Sequence, residues 1–252
     1  MKRIPKSNEL MWLLGTIFVA LGVCICSKAD LGVSMIAAPP FIIYDAVKDL
    51  WSGFSVGMVE YLVEGLALIL LCFIVQRANW RFLLAFLTAV IYGYVLDLWL
   101  LIFKDVSFPE IYQQWIMLIV GDIITALGVA CYFKTYLPLQ AYELCVAEIS
   151  ERYKFNIGKT KWVFDITCLT ISGVLAFTLF KASEFDWSTI YKASYHHLGL
   201  GTIVTTIINA PIITGWSIIL DRCFTYEAFI PKLEKILKRE YKENEEAQND
   251  QD

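Results

Sequence analysis

Charge is what this chain lacks. Lysine, arginine, aspartate and glutamate make up 18% of its 252 residues, against 58% hydrophobic. A water-soluble domain carries about a quarter charged residues, so the deficit points to lipid as the solvent for much of the surface. A net charge of -4, with no basic patch interleaved with aromatics, excludes a nucleic-acid partner. Histidine is almost absent: the two present are neighbours, His196 and His197, and adjacent residues do not share a helix face as an i, i+4 metal pair does. They read as a wet, exposed pair at a helix mouth, and no metal is expected. None of the seven cysteines (24, 26, 72, 131, 145, 168, 223) falls in a predicted outer loop, which excludes a disulfide framework and leaves cysteine as a small buried hydrophobe. GLGT at 199–202 is followed by no GK[ST], so it is not a phosphate loop. No nucleophile, base and orienting group come together in the sequence, and neither an enzyme nor a cofactor is expected.

What is present is a repeated stretch. GTIFVALGVCICSKADL at 15–31 returns as GDIITALGVACYFKTYL at 121–137. Gly15, Ala20, Leu21, Gly22, Val23, Lys28 and Leu31 fall on Gly121, Ala126, Leu127, Gly128, Val129, Lys134 and Leu137 at one constant offset. After a small slip in register, Phe54, Gly57 and Glu64 stand opposite Phe155, Gly158 and Asp165. A weaker match sets TAVIYG from Thr88 against TTIINA from Thr205.

Six runs are long enough to cross a bilayer core, which takes about 20 apolar residues. They lie near 9–27, 57–76, 81–103, 114–134, 160–181 and 199–221. The basic start MKRIPKSNEL precedes the first run and no small-residue cleavage site follows it, so a retained first helix is expected. With the N-terminus inside, 16 of the 21 basic residues lie on the inner side and five (Lys28, Lys48, Lys104, Lys181, Lys192) outside. The partly apolar segments 33–47 and 137–150 are short for spans; the first holds Pro39-Pro40, the second Glu143 and Glu148. Both read as re-entrant or interfacial helices. Three spans per repeat is an odd number, so the second copy enters from the opposite side. The expected fold is an all-α polytopic membrane bundle of two inverted three-helix repeats, the plan of many secondary transporters. The expected organisation is a cytoplasmic basic start (1–8), two membrane repeats (9–112 and 113–222), and a cytoplasmic tail (223–252). Within that tail 228–241 has an amphipathic period, and an acidic, disordered end follows. A bacterial inner membrane with both termini cytoplasmic is the expected location.

An ionisable group inside a span costs about 2.5–3.5 kcal/mol at mid-helix, so each asks for a reason. Glu64 sits near the middle of the second span and Asp165, its repeat partner, in the fifth; together they read as proton or cation sites related by a pseudo-two-fold axis. Asp97 and Asp122 lie within about two turns of the outer surface. No lysine or arginine falls deep in a span to pair with these acids, which favours a proton or a cationic substrate over an anion. The last span carries Pro211, with Asn209, Thr202, Thr205 and Thr206 able to satisfy freed backbone groups or line a cavity.

The pattern G-x6-G-x5-K-A-D-L-G-V-S (Gly15 to Ser34), the FSVG and FNIG starts, the carboxylates after them and the late GLGT resemble the YczE/YitT-like group of bacterial integral membrane proteins. This chain departs from that group in carrying Met35-Ile36-Ala37 where P-W-D commonly follows, and in placing its prolines at 39 and 40. The resemblance implies membrane location and topology and brings no settled activity. The residues themselves point to a proton- or cation-coupled secondary transporter of a small solute. The alternative is a non-transporting membrane partner or regulator acting through its cytoplasmic loop and tail. The lipid bilayer and an unidentified small solute are the expected partners, and homo-oligomerisation stays open.

Overall fold

The structure, a computed structural model, describes residues 4–51, 53–76, 79–180 and 194–231. Arg77, Lys181, Lys192 and the tail from 232 onward, including most of the expected amphipathic helix, lie outside them. The described chain runs β1 (Ile4–Ser7), α1 (Asn8–Ala29), α2 (Ala38–Val47), α3 (Val56–Val75), α4 (Trp80–Ile102), α5 (Ile111–Tyr132), α6 (Ala141–Arg152), α7 (Ile157–Leu179), α8 (Leu200–Cys223) and β2 (Phe224–Glu227).

Local sequence starts these helices. Ser7 accepts from the Leu10 N–H, Ser55 from Met58, Asn79 from Arg81, and Asn156 from both Gly158 and Lys159, each cap satisfying a donor that the first turn leaves open. Six of the helices, α1, α3, α4, α5, α7 and α8, are long and apolar enough to cross a membrane. Their bounds fall within three residues of those expected from hydropathy. Leucine, isoleucine and phenylalanine side chains stand exposed along α3 and α4, among them Leu66, Ile69, Phe73, Leu83 and Leu87. In water such a surface would aggregate; in lipid it is the solvent-facing side.

The bundle is built around α1 and α5, which cross antiparallel with their backbones in contact. A Cβ on Gly22 would stand 2.5 Å from the Gly121 carbonyl oxygen, and one on Gly121 2.9 Å from that of Gly22. Gly15 and Gly128 oppose each other in the same reciprocal way, at 3.0 and 2.8 Å. Where helices must associate without a hydrophobic drive, small residues of this kind let dispersion act over the whole crossing. α4 packs on α1, α8 on α5, and α3 on α4.

The two short helices are inside this arrangement. α2 packs between α3 and α7, and α6 against α3, α4 and α7. At 1.5 Å per residue they reach about 15 and 18 Å, well short of a core of about 30 Å. Phe41 and Ile42 of α2, and Ala141, Leu144 and Cys145 of α6, are buried. The order long, short, long, long thus runs twice along the chain.

At one end of the bundle β1 and β2 pair in parallel, Ile4 beside Phe224 through Ser7 beside Glu227. The start of α1 and the end of α8 therefore meet on one face, as an even number of crossings requires. Glu9 ties this corner. Its carboxylate accepts from the Tyr136 and Ser7 hydroxyls and, at 3.0 Å each, from the Phe229 and Ile230 N–H groups.

Candidate functional site

Two glutamates one turn apart place carboxylates in the interior. Glu60 and Glu64 lie on one face of α3, 1% and 0% exposed. Glu64 is seated on the start of α6. Its Oε1 accepts at 2.6 Å from Gln140 Nε2 and its Oε2 at 3.4 Å from the Ala141 N–H. Gln140 is the N-cap of α6 and Ala141 its first residue. The carboxylate therefore meets open backbone donors at the positive end of a helix dipole.

Glu60 has no such seat. Its Oε2 is buried without a hydrogen-bond partner, as are the Tyr142 hydroxyl and Glu143 Oε2 on the facing α6. Tyr142 of α6 and Tyr92 of α4 are buried as well. Among the described residues no lysine, arginine or histidine pairs with either glutamate; basic side chains pair instead with acids such as Asp45, Glu148, Asp165 and Asp221. The centre is an excess of acceptors without a basic counter-charge. Chemically it can take up protons or a cation. On α7, Lys161 and Asp165 pair with each other at 3.5 Å.

The other sequence-derived candidates go elsewhere. Asp165 stands on α7 with its side chain 14% exposed and does not share a site with Glu64. Asp97 Oδ1 accepts from the Gly57 N–H at 2.8 Å, which makes it a cap for the first turn of α3. Asp122 is buried on α5; its Oδ1 accepts from Asn209 Nδ2 of α8 at 2.7 Å, and its Oδ2 has no partner. This forms a second, smaller polar contact between helices. Thr205 donates to the Gly201 and Thr202 carbonyls, and Thr202 takes the Gly199 N–H and gives to the His197 carbonyl. Their hydroxyls are used on local backbone.

The histidines require a correction. They are half-buried, not fully exposed: both side chains are 22% exposed and both face Asp45 of α2, His197 Nε2 at 3.2 Å and His196 Nδ1 at 3.9 Å from Oδ2. With Asp30, Ser194 and Tyr195 these residues line an open cleft of about 330 Å³. Its backbone is contorted, with Asp30, His196 and His197 all at positive φ. Burial alone would push the Asp45 carboxyl up, but hydrogen bonds from His197 and Lys48 outweigh it and hold the group at about 2, below the ordinary 3.8.

Sequence reasoning missed Glu60, Gln140, Tyr142 and Tyr92, and read Glu143 only as evidence against a span. The signal for Glu60 was present, since residues four apart share a helix face. For the residues of α6 it was not, because Gln140 meets Glu64 across 76 positions of chain.

No solved structure matches the chain. "Uncharacterized protein YyaS" of Bacillus subtilis (strain 168) is 23% identical over 215 residues, which cover 84% of this chain and 92% of that protein. The model of a family of unknown function, DUF6198, matches residues 6–217, and it is this family, not the YczE/YitT-like group that the motifs resemble, that the comparison returns. With most of its length covered by that match, the chain belongs to the DUF6198 family.

Proposed function

We propose that the protein is a secondary transporter of a small solute, coupled to protons or another cation, with Glu64 and Glu60 as the coupling site. It acts in a bacterial cytoplasmic membrane with both termini inside and carries out no enzymatic reaction. One observation carries the reading: two buried carboxylates without a basic partner lie on one face of a membrane-crossing helix, and one of them is seated on the N-terminus of a helix too short to cross. Leaving such a pair charged in lipid would cost several kcal/mol per group, so the pair stays loaded with protons or a cation. Loading and unloading from opposite faces is transport.

Internal duplication supports the same reading. Under the offset that superimposes 15–31 on 121–137, the contact Gly15 to Gly128 becomes Gly121 to Gly22, so the central crossing maps onto itself. Transporters built from inverted repeats place their sites where the repeats meet, on interrupted helices. The two halves are not equal, and the reason is local. Asp165 is the counterpart of Glu64, and α7 packs on α2 as α3 packs on α6. But α2 begins Ala38-Pro39-Pro40, whose prolines offer no N–H to a carboxylate. Asp165 takes Lys161 instead, and the second half keeps no coupling seat.

The test uses the full chain in vesicles of phosphatidylethanolamine and phosphatidylglycerol under an imposed pH gradient. The vesicles are offered amino acids, amines, organic acids and sugars, and their contents are read by mass spectrometry. A solute accumulated by wild type, released by a protonophore and not accumulated by Glu64→Gln is the expected outcome. Equal accumulation by Glu64→Gln would remove Glu64 from the mechanism. No accumulation of any solute by folded protein would favour the docking alternative.

A further inference from the structure

Resting on that reading, we propose that Gln140 is the positioning residue of the coupling site: its amide donates to Glu64 when the carboxylate is charged and, turned over, accepts from it when it holds a proton. What each partner at the seat can do decides this. The Ala141 N–H, 3.4 Å from Glu64 Oε2, can only donate. Gln140 Nε2 donates to Oε1 at 2.6 Å, but the same side chain also carries a carbonyl oxygen. A carboxylate takes both bonds as they stand. A carboxylic acid does not. Its proton on Oε2 would face the Ala141 N–H, and on Oε1 the Gln140 amide nitrogen, donor against donor in both cases. Half a turn of the Gln140 amide about its last side-chain bond exchanges nitrogen for oxygen and gives a proton on Oε1 its acceptor. Among the described residues the Gln140 oxygen takes no other hydrogen bond, so the turn breaks only the bond that it replaces. The proton comes from water and returns to water, and no other covalent bond changes.

Burial makes the acceptor necessary. Gln140 is the N-cap of α6 and 6% exposed, and Glu64 is fully buried, so the protein has to supply the acceptor that water gives an exposed acid. α6 lies along α3 and is fixed to it at three levels. Glu64 holds its start; the Ala67 carbonyl accepts from Cys145 Sγ at 3.9 Å; beyond its end the Ile74 carbonyl accepts from the Tyr153 hydroxyl at 2.8 Å. Only the first of these changes with charge. Charged, Glu64 holds the α6 N-terminus through charge-assisted bonds and the helix dipole; protonated, it holds it chiefly through one neutral bond to the turned amide. Gln140 therefore keeps the short helix in place across the proton cycle. The buried titratable side chains on the elements around Glu64 are Glu60 of α3, Tyr92 of α4 and Tyr142 of α6, with Glu143 Oε2 also buried on α6. Of the charged groups on those elements and on α2, Arg81 pairs with Glu148 at 3.7 Å and Lys48 with Asp45 at 2.9 Å, and Asp97 caps Gly57. No cation among them pairs with Glu64, so the seat answers to protons and not to a fixed counter-charge.

Infrared difference spectroscopy on the full chain in lipid vesicles, taken from about pH 5 to about pH 9, reads the switch. In wild type the carbonyl band of a protonated carboxyl should give way to carboxylate bands as pH rises, with a glutamine amide band changing in step. Glu64→Gln should remove both changes. Gln140→Met, close in size and without an amide, should abolish the amide change and shift the carboxyl band to the higher frequency of an acid without its acceptor. The same variant should move the titration upward by about one pH unit, because the charged form loses the stronger bond. In the vesicle assay Gln140→Met should accumulate solute severalfold more slowly, with its pH profile displaced in the same direction. A Glu64 carboxyl that titrates with no glutamine change, one that does not titrate in this range, or spectra that Gln140→Met leaves as in wild type would overturn the proposal. Should Gln140→Met fail to fold, the spectra of wild type and Glu64→Gln decide alone. The two readings fail separately. Solute accumulation that depends on Glu64 without the amide change leaves the transport reading standing and removes the switch. The amide change without accumulation of any solute keeps the switch and removes transport.

Discussion

Replacing single glycines by alanine separates the packing argument from helix propensity, because the two act with opposite sign at known positions. A Cβ on Gly22 would sit 2.1 Å from Thr125 Oγ1, 2.5 Å from the Gly121 carbonyl oxygen and 2.6 Å from the Thr125 nitrogen. The threonine hydroxyl can turn away; the two backbone atoms cannot. Carbon reaches contact at about 3.5–4.0 Å, so α1 and α5 must part by on the order of 1 Å along their crossing. Overpacking of this kind costs about 1–3 kcal/mol, against a gain of about 1 kcal/mol from alanine in a helix interior. At Gly173 and Gly215 a Cβ meets nothing within 4 Å, so only the gain remains. Gly22→Ala should therefore lose up to about 2 kcal/mol and Gly173→Ala and Gly215→Ala each gain up to about 1. Gly22→Ala combined with Gly121→Ala should cost less than the sum, since the first change already opens the gap the second needs. Unfolding in mixed micelles with rising dodecyl sulfate, followed by far-ultraviolet circular dichroism, measures these variants and Gly121→Ala alone. If Gly22→Ala stabilises as Gly173→Ala does, the α1–α5 contact is not the centre of the fold.

Two further outcomes test the ends of the bundle. Asp45 is held at about 2 against an ordinary 3.8; a lowered folded value contributes stability above the ordinary one and loses it as pH falls through the folded one. The stability advantage of wild type over Asp45→Asn, about 1–2 kcal/mol after solvent screening, should be full above about pH 4 and close as pH falls toward 2; a gap that persists in acid would place it outside the carboxylate. Glu9→Ala removes the acceptor for two hydroxyls and two N–H groups. Charge-assisted bonds of this kind contribute about 1.5–3 kcal/mol, so the Phe229 and Ile230 amides should exchange with deuterium at least about tenfold faster, while those of α5 stay protected.

The spans were legible because hydrophobic length is a one-dimensional property, and the fold must follow it where no water can satisfy a stray backbone group. The shortness of 33–47 and 137–150 was legible for the same reason. Where those segments go was not. The position of α6 is set by what receives it, Glu64 at its first turn and the cluster of Leu68, Leu71 and Phe82 that Leu144 and Cys145 join, and none of these is near it in sequence. Asp97 shows the same limit from the other side. A carboxylate within a span reads as a functional group, yet here it completes the first turn of a different helix, and nothing in YGYVLDLWL shows that the open N–H of Gly57 lies across from it. The partner of the histidines was missed because the loop before α8 was read without α2, the element that carries Asp45 to them.

Glu60 makes the sharper case, because its period was visible and its meaning was not. Two glutamates four apart on a helix are, on a soluble surface, a mild repulsion that water screens. On a buried face the same spacing forces a decision about charge. What turns one into the other is α6: it brings the Gln140 amide and the Ala141 N–H to Glu64, so that one carboxylate is seated and Glu60 Oε2 is left buried without a partner. A symmetric molecule would seat both halves alike. This one has two prolines at the start of α2 and none at the start of α6, so the first turn of α6 offers a carboxylate N–H groups that the prolines of α2 lack.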